Sequence, residues 1–259
     1  MLLALFVALP IAALALAAGA LTLAGAVAAV VIGALCILAG WGWAALLIVY
    51  FVVAVAFSKL GAEAKARRTG SVVAKAGGRD AIQVLANGGV FAVVAFLSAH
   101  ASPTSAPVLA AAAAGALAAS AADTLATEVG TLVGGEPRSV THWRTVPAGT
   151  SGGVTLAGSL SMIGGALLIA VAALGMGLTP HVAAASLGGI TGAIADSLLG
   201  ALVQERRRCP RCEVATERRV HDCGTVTEHA GGIDRLDNDL VNLCATVVGA
   251  AVAAALAVV

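Results

Sequence analysis

The stretch WGWAALLIVYFVVAVAFS, residues 41–58, holds no charged side chain and approaches the length of a membrane-spanning helix. Such a helix needs about 20 residues to cross about 30 Å of hydrocarbon. Similar apolar runs recur along the chain, at residues 2–19, 20–38, 41–58, 82–100, 106–122, 154–177, 181–203 and 240–259. The pattern predicts an all-α, polytopic transmembrane helix bundle of about eight spans.

The composition excludes an ordinary soluble globular domain, because 59% of the residues are hydrophobic and only 11% are charged. Ala and Gly dominate the apolar runs, so the helices should pack through small residues. A secretory signal peptide is a competing interpretation of the first run. Met1 is not followed by the basic n-region of a signal peptide, however, and the apolar character continues, so we expect that run to remain as a span. Residues 1–259 are predicted to form a single transmembrane domain with a polar insert at 204–237.

The basic residues predict the topology. Six Lys and Arg lie between Lys59 and Arg79, two are Arg138 and Arg144, and the other seven lie between Arg206 and Arg235. These loops follow the third, fifth and seventh runs, so an alternating path places all three on one side. The positive-inside rule makes that side cytoplasmic, in a prokaryotic-type cell membrane, with both termini outside. Residues 123–153 are too polar to span and are expected to form a re-entrant segment that lines a cavity.

Carboxylates occur inside or beside the apolar runs, at Asp123, Glu128 and Asp196. An ionised carboxylate at mid-membrane costs at least about 2.5 kcal/mol, so each needs a partner or a function. One interpretation is that they cap helices or pair with Arg at the interface. The alternative is a functional cluster, because four predicted helices carry polar stripes near their cytoplasmic ends.

The stripes follow helical spacing. Side chains three or four residues apart share a helix face. The sets are Asp80, Gln83 and Asn87; Asp123 and Thr127, with Glu128 beside that face; Gly188, Gly192, Asp196 and Gly200; and Asn238 and Asn242, with Asp239 three residues before Asn242. The small residues around Asp196 should turn it towards other helices. Carboxylate and amide oxygens suit Mg²⁺, so the predicted metal ligands are Asp123, Glu128, Asp196 and Asp239.

The run PAGTSGG, Pro147–Gly153, precedes the sixth apolar run. Glycine-permitted turns and free amides at a helix start can bind an anion. A simple turn into a membrane helix is the other interpretation.

The insert contains Cys209 and Cys212, followed by His221 and Cys223. This order resembles a zinc knuckle, and a loop so poor in apolar mass could be folded by a structural Zn²⁺. His229 is a spare ligand candidate. A second C-x2-C is missing from the sequence, so reduced, unligated thiols remain an equal alternative.

Five segments resemble, in order, the transmembrane-protein-nineteen family: RDAIQVLANGG (79–89), ASAADTLATEVG (119–130), PRSVTHWRTVPAGTSGGVTLAG (137–158), GAIADSLLG (192–200) with Gln204, and GGIDRLDNDLVN (231–242). The resemblance extends from about Leu21 to Val248. That family includes the plant phytyl phosphate kinases and is similar to membrane CTP-dependent enzymes such as phytol kinases, dolichol kinases and CDP-lipid synthases. HDCG at 221–224 departs from the adjacent His–Cys pair expected there.

The resemblance implies a CTP-dependent kinase that converts an isoprenyl monophosphate, of the phytyl or geranylgeranyl type, to the diphosphate. With that reaction, Asp123, Asp196, Arg138 and Arg144 are the expected catalytic residues. The expected nucleotide- and phosphate-binding residues are Arg79, Asp80, Asn87, Thr150, Ser151, Gly152, Gly153, Asn238 and Asn242. Cytidylyl transfer to a CDP-linked lipid is the alternative, followed by a small membrane transporter. The expected partners are a nucleoside triphosphate, an isoprenyl phosphate and the membrane, with no nucleic acid.

Overall fold

The computed structural model describes residues 2–70, 72 and 77–258. Within them lie nine helices: α1 (Leu2–Ala17), α2 (Leu23–Ala39), α3 (Trp41–Lys59), α4 (Ala62–Thr69), α5 (Ala81–Ala99), α6 (Ala106–Val133), α7 (Leu156–Gly175), α8 (Val182–Leu202) and α9 (Asn238–Ala257). Five short strands complete the described part: β1 (Arg138–Ser139), β2 (Gly153–Val154), β3 (Arg206–Arg208), β4 (Ala215–Thr216) and β5 (Glu228–Gly231). Met1, Val259 and the basic residue Lys75 lie outside the described residues.

The prediction of a polytopic helical membrane protein is confirmed. In the described part of the chain, six helices are long and apolar enough to cross a membrane, namely α3, α5, α6, α7, α8 and α9. The apolar helices α1 and α2 have 16 and 17 residues. At 1.5 Å per residue they extend only about 24–26 Å, slightly less than the hydrocarbon thickness.

The three charged loops meet at one end of the bundle. Hydrogen bonds join the links at this end: Lys59 Nζ donates to Ala18 O (3.0 Å), Thr22 N to Arg79 O (3.0 Å), Arg68 Nη2 to Gly135 O (2.9 Å) and Glu217 N to Val72 O (2.9 Å). We call this the charged end, formed by residues 18–22, 59–70, 72, 77–80, 134–155 and 203–237. The first and last described helices both have their free ends opposite it.

Residues 123–133 do not form a re-entrant segment, which corrects that prediction. They continue α6 as one helix to Val133, and residues 134–155 form a loop in which β1 and β2 pair antiparallel. The polar residues are tolerated because α6 is the central helix, packed against α3, α4, α5, α7, α8 and α9. Its polar end faces protein and a cleft rather than lipid.

Small residues set the close packing of the central helices. A Cβ on Gly192 in α8 would lie 2.6 Å from Ala119 Cβ in α6 and 2.7 Å from Ala245 O in α9. Gly188 and Gly200 of the same stripe are also buried. The expected inward orientation of this face is confirmed, and it carries Asp196 towards the bundle interior.

The insert folds around a small antiparallel sheet with the strand order β4-β3-β5. The short helix α4, which the sequence analysis did not predict, lies at the charged end against α6. Both elements border the end of the bundle where the polar stripes converge.

Candidate functional site

A cleft of about 720 Å³ lies at the charged end of the bundle. Its walls come from helices α3 to α9, from the loop before α7 and from the insert. Most of the predicted site residues line it: Arg79, Asn87, Asp123, Glu128, Thr150, Ser151, Gly152, Gly153, Asp196, Asn238, Asp239 and Asn242. Polar groups from separate helices therefore converge on one space.

The carboxyl groups of Asp123 in α6 and Asp196 in α8 lie beside each other in the cleft. Two carboxylates so close are unfavourable unless a proton or a cation lies between them. Among the described residues, the buried Asp196 Oδ2 has no hydrogen-bond partner. An unsatisfied carboxylate oxygen beside a second carboxylate fits the ligand chemistry of a divalent cation.

Asp239 in α9 also lines the cleft and is buried, with 3% of its surface exposed. The acidic residues do not form a compact cage: in the described part of the chain, the one group of three or more potential ligands within 4.8 Å of one another consists of cysteines and a histidine. A cation here would take only one or two carboxylates directly, as Mg²⁺ commonly does when phosphates complete its shell.

Glu128 lines the cleft, but its Oε2 forms an ion pair with Lys65 Nζ from α4. Lys65 Nζ also donates to Phe57 O (2.7 Å) and Ser58 O (2.8 Å) at the end of α3. This carboxylate therefore joins three helices and is less available to a metal than Asp123 and Asp196.

The amide wall of the cleft comes from Gln83 and Asn87 in α5. Asn87 Nδ2 donates to Gln83 O (2.9 Å), and Ser120 Oγ of α6 donates to Asn87 O (2.7 Å). Asp80 does not line the cleft. It begins α5 as the N-cap in a capping box with Gln83, because its Oδ1 accepts from Gln83 N at 3.0 Å.

The glycine-rich loop before α7 reaches the cleft with residues 148–155. Gly152 has a φ of +75°, and a Cβ there would lie 2.7 Å from Ser197 O in α8. The position therefore requires glycine for both its conformation and its close approach. Ser151 Oγ donates to Glu217 Oε1, which ties this loop to the insert.

Arg138 and Arg144 do not reach the cleft, which corrects their prediction as catalytic clamps. Both are exposed, and Arg138 Nη1 donates to Trp143 O at 3.1 Å. The pairing of β1 with β2 folds their segment back on itself, so the guanidinium of Arg138 remains within its own loop. Arg79 does line the cleft, and a bridge between its backbone and that of Leu21 fixes its position.

Sequence reasoning missed the contribution of the insert. Arg218 and Arg219 line the cleft together with Glu217. Arg219 Nη2 lies 3.5 Å from Glu205 Oε2. The clustering of basic residues in 206–235 was the available signal, but spacing alone did not indicate which of them face the helices.

Glu217 is a half-buried acid outside the membrane-spanning segments. Burial raises its pKa, while hydrogen bonds from Ser151 and from Gln204 Nε2 (2.9 Å) act in the opposite direction. The charge of Asp237 raises the pKa further. The protonation state of Glu217 is therefore linked to the contact between the insert and the glycine-rich loop.

An apolar groove of about 210 Å³ lies beside the cleft, between α1, α2, α3 and α5. Its wall is formed by small and aliphatic residues such as Ala12, Gly33 and Ala45. Four residues line both spaces: Tyr50, Arg79, Gln83 and Asn87. Tyr50 also lies beside Thr124, which lines the cleft. The groove thus reaches the polar cleft at a cationic side chain.

The four predicted zinc ligands of the insert lie together. The ligand atoms of Cys209, Cys212, His221 and Cys223 are all within 4.8 Å of one another. His229, the spare candidate, is not in this group and lies exposed in β5.

Comparison with known proteins places this architecture in a family. Residues 6–250 match the family described as integral membrane protein DUF92. The chain is similar to Protein PGR of Arabidopsis thaliana, with 26% identity over 246 residues that cover 86% of this chain and 84% of that protein. It is also similar to an uncharacterised membrane protein of Methanocaldococcus jannaschii, with 29% identity over 224 residues, 81% of this chain and 74% of that protein. No solved structure matches. The chain therefore belongs to the DUF92 family of integral membrane proteins.

Proposed function

We propose that this protein is a CTP-dependent kinase that phosphorylates an isoprenyl monophosphate to the diphosphate at the cytoplasmic face of the membrane. The observation that carries the proposal is the junction of the carboxylate-lined cleft with the apolar groove. A lipid phosphate has the matching shape, because its tail is apolar and its head is an anion. The resemblance of five sequence segments to the transmembrane-protein-nineteen family supports the same reaction.

Arg79 is placed to receive the acceptor. It lines both the groove and the cleft, so a prenyl tail in the groove would present its phosphate to the guanidinium. Charge-assisted hydrogen bonds from Arg to phosphate are strong and directional. Gln83 and Asn87, which also line both spaces, would add neutral donors.

Asp123 and Asp196 are the residues that would hold Mg²⁺, and Asp239 of α9 lines the same cleft. Mg²⁺ there would neutralise charge on the phosphates of the nucleotide. Arg218, Arg219 and the backbone of the loop at 149–153 would bind the remaining phosphate oxygens. The insert thus takes the part that the sequence analysis assigned to Arg138 and Arg144.

The chemistry demands positioning rather than a strong base. An oxygen of the lipid monophosphate attacks the γ-phosphorus of CTP; a new P–O bond forms, and the bond from the γ-phosphorus to the bridging oxygen breaks. The products are the lipid diphosphate and CDP. Because the attacking phosphate is already anionic, the cleft contributes alignment and charge neutralisation.

The orientation in the membrane is part of the proposal. Every Lys and Arg in the described residues lies at the charged end, which the positive-inside rule assigns to the cytoplasm. Thr141→Cys at that end and Ser102→Cys at the opposite end test it, since both native residues are exposed. A membrane-impermeant maleimide should label only the second in intact cells; labelling of only the first would reverse the orientation.

The reaction is tested with purified protein, Mg²⁺, geranylgeranyl phosphate and CTP labelled at either the α- or the γ-phosphate, with Asp196→Asn as the background control. Transfer of γ-label into a lipid diphosphate is expected. Transfer of only α-label would replace the kinase with a cytidylyltransferase. No lipid product with CTP, ATP or GTP would overturn the enzymatic proposal, and tracer uptake into proteoliposomes would then test a transporter.

A further inference from the structure

We infer that Cys209, Cys212, His221 and Cys223 bind one structural zinc ion that holds the insert over the cleft. The site is separate from the acidic cleft and does not depend on the proposed reaction. Only its consequence for Arg218 and Arg219 as phosphate-binding residues rests on the proposed function.

The distances fit a tetrahedral site. Zinc bonds of about 2.3 Å to sulfur and about 2.0 Å to nitrogen imply S···S and N···S separations of about 3.8 and 3.6 Å. Cys209 Sγ lies 3.6 Å from Cys223 Sγ, and His221 Nδ1 lies 3.2 Å from Cys223 Sγ. Three thiols and an imidazole form an ordinary closed zinc site.

Two tight turns bring the ligands together. In the first, Glu213 N donates to Cys209 O (2.8 Å) and Cys209 N to Val214 O (3.0 Å). In the second, Gly224 N donates to His221 O (2.8 Å). Such paired turns present their side chains to one point, as the turns of zinc knuckles do.

The four ligands lie in a segment that has little apolar core of its own to hold it folded. Cys209 and His221 are buried, although the insert has few large buried apolar side chains. A metal supplies the folding free energy that a small core does not. The 3.6 Å between Cys209 Sγ and Cys223 Sγ is too long for a disulfide bond, whose S–S distance is about 2.0 Å.

The zinc would position the cleft residues of the insert. Glu217, Arg218 and Arg219 lie between β4 and the ligand His221, so both ends of this segment are held once the metal binds. Glu217 then reaches Ser151 in the glycine-rich loop. Loss of the metal should release this segment while leaving the helices packed.

The metal site is tested first by its content and spectrum. Protein purified without added metal should contain about one equivalent of zinc by mass spectrometry, and cobalt replacement should give the absorption of a tetrahedral thiolate site. Cys212→Ser should lower zinc affinity at least about 100-fold, whereas His221→Cys should retain the metal with an altered cobalt spectrum. Cys244→Ser, an exposed cysteine of α9 outside the cluster, is the matched control.

The positioning is tested by hydrogen exchange with and without a chelator. Amides at 215–223 should exchange at least about tenfold faster after zinc removal, while those at 141–146, which bond within their own loop, should not change. Reduced thiols without metal, a disulfide, or equal zinc in Cys212→Ser would overturn the site. Loss of zinc with unchanged hydrogen exchange at 215–223 would show that the metal does not position this segment. Neither readout depends on kinase activity, so failure of the proposed function would be recognised separately.

Discussion

Lys65 in α4 and Glu128 in α6 form an ion pair that is largely removed from solvent, with side-chain exposures of 9% and 21%. The same ammonium donates to two carbonyls at the end of α3. A short surface helix is thereby joined to the central helix and to its neighbour beside the cleft. Glu128, which the sequence analysis assigned to metal binding, therefore has an ion-pair partner in the protein instead.

Lys65→Met should lower the free energy of unfolding by about 3–5 kcal/mol, because it leaves Glu128 and two carbonyls without their donor in a poorly solvated site. Thermal unfolding in detergent measures the change. Glu63→Gln is the control on the same helix, since its pair with Arg67 is exposed and should contribute no more than about 0.5 kcal/mol. Equal losses of unfolding free energy in the two variants would show that the Lys65–Glu128 pair stabilises the fold no more than an exposed pair.

Asp123→Asn and Asp196→Asn should each reduce kinase turnover at least about 100-fold without lowering thermal stability. The stability should hold because an amide removes the repulsion between two adjacent carboxylates. Asp234→Asn, an exposed acid in the insert, is the control. Full activity in Asp196→Asn would remove that residue from the site.

Gly192→Ala should destabilise the bundle by about 1–3 kcal/mol, because the added methyl meets Ala119 Cβ at 2.6 Å and Ala245 O at 2.7 Å. Gly164→Ala in α7 is the control, since a Cβ there meets nothing within 4 Å. The control should be neutral or stabilising by up to about 1 kcal/mol. Denaturation of both variants in the same detergent compares them, and equal midpoints would contradict the tight α6–α8–α9 contact.

Glu217 should make the protein less stable as pH rises. Its folded-state pKa is raised above the ordinary 4.5, so the folded protein binds more protons than the unfolded chain between these two values. Stability from this group is therefore present below pH 4.5 and falls as pH rises through the raised pKa. Glu217→Gln should remove this part of the pH dependence and keep acceptors for Ser151 and Gln204. Unfolding measured across pH compares it with Glu228→Gln, an exposed acid of β5, and identical pH profiles of wild type and Glu217→Gln would contradict the shift.

Ala45→Phe should fill the apolar groove and raise KM for geranylgeranyl phosphate about tenfold or more. A short acceptor such as dimethylallyl phosphate needs little of the groove, so its KM should change much less. Val52→Phe is the control on the same helix, because Val52 is exposed and does not line the groove. An equal rise in KM for both acceptors would show that the prenyl tail binds outside the groove.

Much of the fold follows from the sequence because the bilayer restricts the choices. A long apolar run such as 41–58 has to become a helix, since no water satisfies its backbone inside hydrocarbon. The loops around Lys59, Arg144 and Arg206 likewise meet at one end because helices that cross in alternation leave no other arrangement. The stripe of Gly188, Gly192 and Asp196 faces inward for the same reason, because small residues permit contact between backbones.

The sequence by itself determined the helical membrane fold, the common end of the charged loops and the inward direction of Asp196. Only the tertiary structure decided which partners those groups meet: Glu128 binds Lys65, Arg138 folds back onto Trp143, and Arg219 enters the cleft instead. The physical reason is the separation along the chain over which each effect acts. Burial and helical period act on residues close in the chain, whereas a loop's contacts depend on which distant segments the packed helices bring beside it.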